Sequence, residues 1–168
     1  MNLKNTFPDK IWCSIGEKGK NEVLIGICYR TPSEKVYDFD IHSALRKMLH
    51  EVADSNFMLM GDFNYRNINW KSNVCERCAS VDTKMFMECV QDLFLTQHVN
   101  CPTTDRSVLD LVLSKEPDLV YDVRNLGKLA SSNHNWITWN VNIKGHEQST
   151  TRVSYNYRAM DVNGAKKE

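Results

Sequence analysis

The sequence predicts a mixed α/β fold in which sheets and helices pack in layers. Three observations support this prediction. Two β-rich runs near the start are arranged as a hairpin, strands and amphipathic helices alternate after them, and the last apolar segment has strict period-two alternation. The 168 residues, 42% of them hydrophobic, suit one domain with a sizeable core.

The hairpin joins residues 11–15 to residues 23–29. The intervening GEKGKNE supplies the glycine and charge that are typical of a turn. Because side chains alternate along a strand, one face of the second run carries its large apolar residues. These are Val23, Ile25, Ile27 and Tyr29.

A helix and a buried strand are predicted next. Over residues 36–52, apolar side chains recur at helical spacing. They are Val36, Ile41, Leu45, Leu49 and Val52. Residues 54–56 end this helix, and the apolar run 57–60 forms the following strand.

A second helix follows the polar, loop-like residues 70–79, with Ser80 or Asp82 as its N-cap. Its apolar stripe consists of Met85, Phe86, Cys89, Val90, Leu93 and Phe94. A buried strand over residues 108–114 and a short strand over residues 120–126 come next.

The last predicted strand is half-buried, since apolar residues alternate there with Thr138, Asn140 and Asn142. The apolar positions are Ile137, Trp139, Val141 and Ile143. Beyond them the composition turns polar. We therefore expect a domain over residues 1–144 and a polar linker over residues 145–168.

Composition limits the possible partners and compartments. Net charge is zero and the pI is near 6.9, so a nucleic-acid partner would have to be recognised by local sites. No apolar run reaches membrane-spanning length, and the first residues lack the apolar core of a signal peptide. These features predict a nuclear or cytoplasmic protein without a membrane partner.

The six cysteines are then most simply reduced thiols. Cys75 and Cys78 form a C-x-x-C pair, but a structural zinc site needs four ligands. Cys89, Cys101 and His98 could complete such a set, although their spacing matches no common zinc finger. The spacing therefore favours free cysteines.

The segment GDFN, residues 61–64, is a first candidate site because it ends the apolar run 57–60. Asp62 and Asn64 share one side of an extended chain, with Phe63 opposite. The carboxylate can bind a hard cation or accept a proton, and the amide can donate to a phosphate oxygen. Glycine, aspartate and asparagine are also common turn formers, and composition alone favours a plain turn.

Asp110 and His134 form a second candidate site. Asp110 lies in SVLDLVLS with apolar neighbours on both sides, and a buried carboxylate needs a hydrogen-bonding or charged partner. A backbone amide would satisfy this need, and so would His134, which precedes the last strand. An aspartate in that position fixes the tautomer of the imidazole and stabilises its protonated form.

In chain order, YRTPS, GDFN, LDLVL and SSNHNWITW resemble the endonuclease/exonuclease/phosphatase superfamily. The stretches FMECVQDLFLTQHV and PTTDRSVLDLVLSKEPDLV are most similar to the endonuclease domains of non-LTR, LINE-type retrotransposons. The resemblance covers roughly residues 10–161, and YNYRAMD looks like the linker toward a reverse transcriptase. It implies a four-layer, deoxyribonuclease I-like α/β sandwich that hydrolyses DNA phosphodiester bonds with Mg²⁺ or Mn²⁺.

The resemblance also implies residue roles. Asp62 matches the residue that orients or deprotonates the attacking water, and Asn64 matches its partner at the phosphate. Tyr29 matches the family tyrosine near the scissile phosphate. Asp110 matches the aspartate that orients the catalytic histidine, and His134 matches that histidine.

Two departures from the family pattern indicate impaired chemistry. Asn133 stands where the family's Ser-Asp-His motif has an aspartate that helps to hold metal, and the amide loses the charge. Only 28 residues precede Tyr29, and Glu17 and Glu22 match neither of the N-terminal strands in which the family carries an asparagine and a metal-binding glutamate. We therefore expect an N-terminally incomplete domain with weak magnesium affinity and an exposed strand edge or apolar face.

The predicted function is a retrotransposon-type endonuclease that acts on DNA, in a parent chain with a reverse transcriptase region. Arg30, Arg66 and Arg106 flank the motifs and could contact backbone phosphates, although solvated surface cations are more common. The alternative is a catalytically inactive remnant or binding module of the same fold. A related phosphatase acting on inositol phosphates or lipids would share the same site plan.

Overall fold

The computed structural model describes residues 9–17, 21–31, 43, 46–47, 49–52 and 54–143. The elements in chain order are β1 (Asp9–Ile15), β2 (Val23–Tyr29), β3 (Phe57–Asp62), β4 (Ile68–Asn69), β5 (Val74–Cys75), α1 (Val81–Asp92), β6 (Thr96–Gln97), β7 (Asp110–Ser114), a 3₁₀ turn (Pro117–Leu119), β8 (Val120–Lys128) and β9 (Asn135–Val141).

A five-stranded sheet with the order β1-β2-β3-β7-β6 is the largest element of the described part. The predicted hairpin is confirmed, since β1 and β2 pair antiparallel. Strand β3 lies parallel to β2 and antiparallel to β7. A parallel pair needs a crossover connection, commonly a helix. Of the predicted helix over 36–52, positions 43, 46–47 and 49–51 are helical and Leu49 is buried, whereas Val36, Ile41 and Leu45 lie outside the described residues.

The two faces of this sheet pack against different layers. On one face, Leu59 and Leu113 belong to a core cluster with Phe86 and Val90 of α1. On the other face, the cluster that includes Met58 packs against the two-stranded sheet of β8 and β9. The predicted layered α/β architecture is therefore confirmed, with a helix and two sheets stacked in the described part.

Helix α1 begins where the sequence predicts. Ser80 is the N-cap, and its side-chain oxygen accepts a hydrogen bond of 3.2 Å from the backbone N–H of Thr83. Phe86 is fully buried and stacks on Tyr65 at 4.1 Å between ring centroids. The predicted stripe is wrong at Phe94, which is 86% exposed, because the helix ends at Asp92 and Phe94 turns outward with a φ of +53°.

Several strand boundaries also differ from the predictions. Strand β7 begins at Asp110 rather than at residue 108, and the predicted loop 70–79 contains the end of the short β4–β5 hairpin. Strand β8 extends to Lys128. Residues 144–168 lie outside the described part, so the boundary after residue 144 stays a prediction.

An apolar surface lies exposed on the β1–β2 end of the sheet. Ile27 is 46% exposed, although Val23 and Ile25 on the same face are buried. Ile11 and Ile15 of the edge strand β1 are also exposed. Ile27 therefore shares a face with Val23 and Ile25 but not their burial. In the described residues, no helix is long and apolar enough to cross a membrane.

Candidate active site

The pairing of β2, β3 and β7 brings three of the predicted site residues to one end of the sheet. Asp62 is the last residue of β3, and it pairs directly with Asp110, the first residue of β7. Tyr29, the last residue of β2, pairs with Asp62 on the other side. Directly paired residues point to the same face, so these side chains emerge together.

Close approach of two backbones explains the glycine before Asp62. Gly61 has a φ of +143°, and a Cβ placed on it would lie 1.8 Å from the backbone oxygen of Cys28 in β2. An L-residue would therefore push β2 and β3 apart. The glycine allows Asp62 to remain in the sheet beside Tyr29.

His134 reaches this end of the sheet from the turn between β8 and β9. Its Nδ1 lies 2.8 Å from Oδ2 of Asp110. The sequence analysis offered either a backbone amide or His134 as the partner of Asp110, and the structure has His134 in this position. Since the carboxylate accepts, Nδ1 carries the proton and Nε2 faces the other way. Nε2 lies 4.0 Å from Oδ2 of Asp62, too far for a direct hydrogen bond.

Thr103 is hydrogen-bonded to the backbone at Asp110 and next to His134, and the sequence analysis did not identify it. It is fully buried, and its hydroxyl oxygen accepts a 3.0 Å hydrogen bond from the backbone N–H of Asp110. Its carbonyl oxygen accepts a 2.7 Å bond from the N–H of Asn135, next to His134. A threonine in a polar loop gives no sequence signal for such a role, because the contacts are made by the tertiary fold.

Burial and neighbouring charge change the pKa values of the site. Burial and the negative charge of Asp110 raise the pKa of the Asp62 carboxyl, while hydrogen bonds from Asn64 and the charge of His134 oppose the change. The hydrogen bond to Asp110 raises the pKa of His134, and burial partly opposes it. The surroundings therefore favour the protonated form of each group more than water does.

Asn64 is held against Asp62 by several hydrogen bonds. Its side-chain nitrogen donates to Oδ2 of Asp62 at 2.9 Å and to the carbonyl oxygen of Arg30 at 2.8 Å. Its backbone N–H donates to Oδ1 of Asp62 at 3.1 Å. Because both amide hydrogens are used within the protein, this arrangement leaves none for a phosphate, contrary to the sequence-based expectation for Asn64.

The remaining predicted residues lie in different surroundings. Tyr29 is 45% exposed. Arg66 and Arg106 are also exposed, so a large substrate can reach them. Asn133 is exposed directly before His134. Arg30 is only 6% exposed, so its burial argues against the predicted contact with a backbone phosphate.

Asp62, Asp110 and His134 are the group of potential metal ligands found within the described residues, with ligand atoms within 4.8 Å of one another. The alternative cysteine set does not converge in that part of the chain. Cys78 is exposed, and the ring of His98 is hydrogen-bonded to the hydroxyl of Ser114 at 2.7 Å.

A layered α/β sandwich with an aspartate–histidine pair and a second aspartate at its strand ends defines a deoxyribonuclease I-like endonuclease fold. The structure is similar to that of the endonuclease domain of TRAS1, a telomere-specific non-LTR retrotransposon, with a TM-score of 0.63 and 18% sequence identity. The match covers 81% of this chain and 64% of that chain, so the present chain spans less than two thirds of that domain's length.

The family follows from the sequence itself. A family model described as endonuclease-reverse transcriptase matches residues 23–138, from the start of β2 into β9. The chain belongs to this family, as the sequence motifs predicted. No curated protein matches the sequence significantly.

Proposed function

We propose that this chain is a retrotransposon-type endonuclease domain that hydrolyses phosphodiester bonds of DNA. The observation that supports it best is the convergence of Asp62, Asp110 and His134 at one end of the sheet, within 4.8 Å between ligand atoms. The family to which the chain belongs supports the same reaction. A reverse transcriptase region in a longer parent chain is part of this proposal.

Asp62 is proposed to orient and deprotonate the attacking water. Burial and the charge of Asp110 raise the pKa of Asp62, which makes its carboxylate a stronger base than an exposed aspartate. A water held by Asp62 can pass its proton to the carboxylate as its oxygen bonds to phosphorus. The bond from phosphorus to the leaving sugar oxygen then breaks, and that oxygen takes a proton from solvent water. Oδ2 of Asp62 and Nε2 of His134 are 4.0 Å apart, so an oxygen atom to one side of the line between them can lie within hydrogen-bond distance of both.

His134 is proposed to stabilise the charge that develops on a phosphoryl oxygen. Asp110 holds the ring with Nδ1 protonated, and its hydrogen bond favours the imidazolium form. A protonated Nε2 then donates a charge-assisted hydrogen bond to the phosphate. Asn64 keeps Asp62 in place, and the exposed Tyr29 beside Asp62 is proposed to border the scissile phosphate.

A divalent metal ion fits the donor set. Mg²⁺ binds oxygen ligands, commonly one or two carboxylates together with waters, and Asp62 and Asp110 offer adjacent carboxylates. Burial and the charge of Asp110 both raise the pKa of Asp62, and a cation held by the two carboxylates would offset their mutual repulsion. Bound there, Mg²⁺ or Mn²⁺ would neutralise charge on the phosphate. With Asn133 in place of an aspartate, we expect weak affinity.

DNA is the proposed substrate, and the exposed side chains of Arg66 and Arg106 are proposed to contact its backbone. The zero net charge predicts that binding depends on such local cations rather than on the charge of the whole chain.

The decisive test is nicking of supercoiled plasmid in Mg²⁺ or Mn²⁺. We expect Asp62→Ala and His134→Ala each to lower the rate at least about 100-fold, because each removes an acid–base or charge-stabilising group. Asp54→Ala is the matched control, since Asp54 is an exposed aspartate in the turn before β3. Equal rates for wild type, Asp62→Ala and Asp54→Ala would refute the proposed chemistry.

A second candidate function is a DNA-binding module without cleavage. It is favoured by Asn133, which stands where the family motif has an aspartate. A mobility-shift assay on the same DNA separates the two. Retarded DNA without nicking in either metal would favour the binding module.

A further inference from the structure

Arg30 is a buried cation beside the site, directly after β2. Its side chain is 6% exposed, and its guanidinium carbon lies 4.2 Å from the centroid of the Tyr65 ring. Nη2 lies 3.9 Å from Oδ2 of Asp82 in the first turn of α1. Burying a charge is costly, so these contacts must offset the lost hydration of the guanidinium.

The same arginine is joined to Asn64 from both sides. Nη1 of Arg30 donates to the backbone oxygen of Asn64 at 3.3 Å, and the Asn64 side chain donates to the Arg30 carbonyl at 2.8 Å. The backbone N–H of Arg30 also donates to the carbonyl oxygen of Asp62 at 2.9 Å. Arg30 therefore contacts both residues of the GDFN site without being exposed to a substrate.

The backbone of Asn64 is in a conformation that neighbouring contacts can stabilise. Its φ of +52° lies in the left-handed region, which is uncommon for non-glycine residues, although asparagine tolerates it better than most. In this conformation the backbone N–H and the side-chain amide of Asn64 both donate to Asp62, at 3.1 and 2.9 Å.

We propose that Arg30 is a positioning residue that holds Asn64 in its left-handed conformation, and thereby fixes the orientation of the Asp62 carboxylate. The proposal rests on the proposed function, since it names the residue that holds Asn64 and Asp62 of the same site in place. The guanidinium suits this role because it lies over the Tyr65 ring while Nη1 donates to the backbone oxygen of Asn64. A lysine ammonium cannot make both contacts from one plane.

The first test is hydrogen exchange of the Asn64 backbone amide, followed by NMR on the whole chain. We expect Arg30→Lys and Arg30→Met to raise its exchange rate about tenfold, which corresponds to the loss of about one hydrogen bond. The amide of Leu59 in the middle of β3 should be unchanged. The control is Arg77→Met, at an exposed arginine in the loop before α1. This measurement does not require activity, so it decides the proposal even if the chain cleaves nothing.

The second test separates positioning from substrate contact. In the nicking assay we expect Arg30→Lys to lower kcat about tenfold with KM within twofold of wild type, because the buried guanidinium does not touch DNA. Wild-type exchange of the Asn64 amide in Arg30→Lys would overturn the proposal. So would a raised KM with unchanged kcat, which would assign Arg30 to phosphate binding. Arg30→Lys keeps the charge and covers the case in which Arg30→Met fails to fold.

Discussion

Replacing the glycine before Asp62 gives a sharp test of how the site is built. In Gly61→Ala, the new Cβ would lie 1.8 Å from the Cys28 carbonyl oxygen. This is about 2 Å closer than the optimal separation of non-bonded atoms. Because the obstacle is the backbone of β2, no side-chain rotation relieves the overlap.

The expected loss in free energy of unfolding follows from this geometry. Strands β2 and β3 must separate around the Cys28–Gly61 pair, which costs about two hydrogen bonds at roughly 1 kcal/mol each. An alanine in this backbone conformation adds about 1–3 kcal/mol of strain. We therefore expect Gly61→Ala to lower the free energy of unfolding by about 4 kcal/mol.

Gly127→Ala is the matched control, because it isolates the strain from the overlap. Gly127 also has a positive φ, +81°, but a Cβ placed on it meets nothing within 4 Å. We expect a loss of about 1–3 kcal/mol for this variant. Urea denaturation followed by tryptophan fluorescence measures both. Equal losses for the two variants would refute the argument from backbone overlap.

Two further predictions concern the core and the site. Phe86→Ala should lower the free energy of unfolding by about 3–5 kcal/mol, because the ring is fully buried; a loss below about 1 kcal/mol in urea denaturation would contradict its central place in the core. In metal-free buffer, stability should fall as pH rises above about 6.5, because the folded-state pKa of His134 is raised and its contribution is lost as that pKa is passed. Burial lowers the pKa of His98, so loss of its proton makes the folded protein more stable as pH rises. This opposite change occurs below about pH 6.5. Asp110→Asn should reduce this loss of stability with rising pH, whereas Asp105→Asn should retain it. An unchanged pH dependence in Asp110→Asn would exclude the Asp110–His134 pair as its source.

The order of secondary structure could be predicted because it depends on local patterns. The hairpin of β1 and β2, the Ser80 cap of α1 and the alternating strand β9 all follow from residue periodicity and capping chemistry. Element ends were less predictable. Phe94 continues the helical spacing of its stripe, yet the chain leaves the helix before it, because the end of a helix depends on the packing that follows.

The members of the candidate site and the pairing of Asp110 with His134 were predictable, but most of its other contacts were not. Asp62, Asp110 and His134 were identified from sequence motifs, and the structure brings them together. The burial of Arg30 and the role of Thr103 could not be predicted, because both depend on residues that are more than 30 positions away in the chain. Arg30 contacts Asn64 and Tyr65, and the carbonyl of Thr103 contacts Asn135.

The sequence by itself determined the family, the α/β class and the identity of the acidic and imidazole groups, because these are carried by short motifs and local periodicity. Only the tertiary structure decided that Asp62 pairs with Asp110 across two strands and that His134 faces both. It also decided that the side-chain amide of Asn64 donates to Asp62 and to the carbonyl oxygen of Arg30. The physical reason is that strand register and burial are set by contacts between distant segments, which no single stretch of sequence contains.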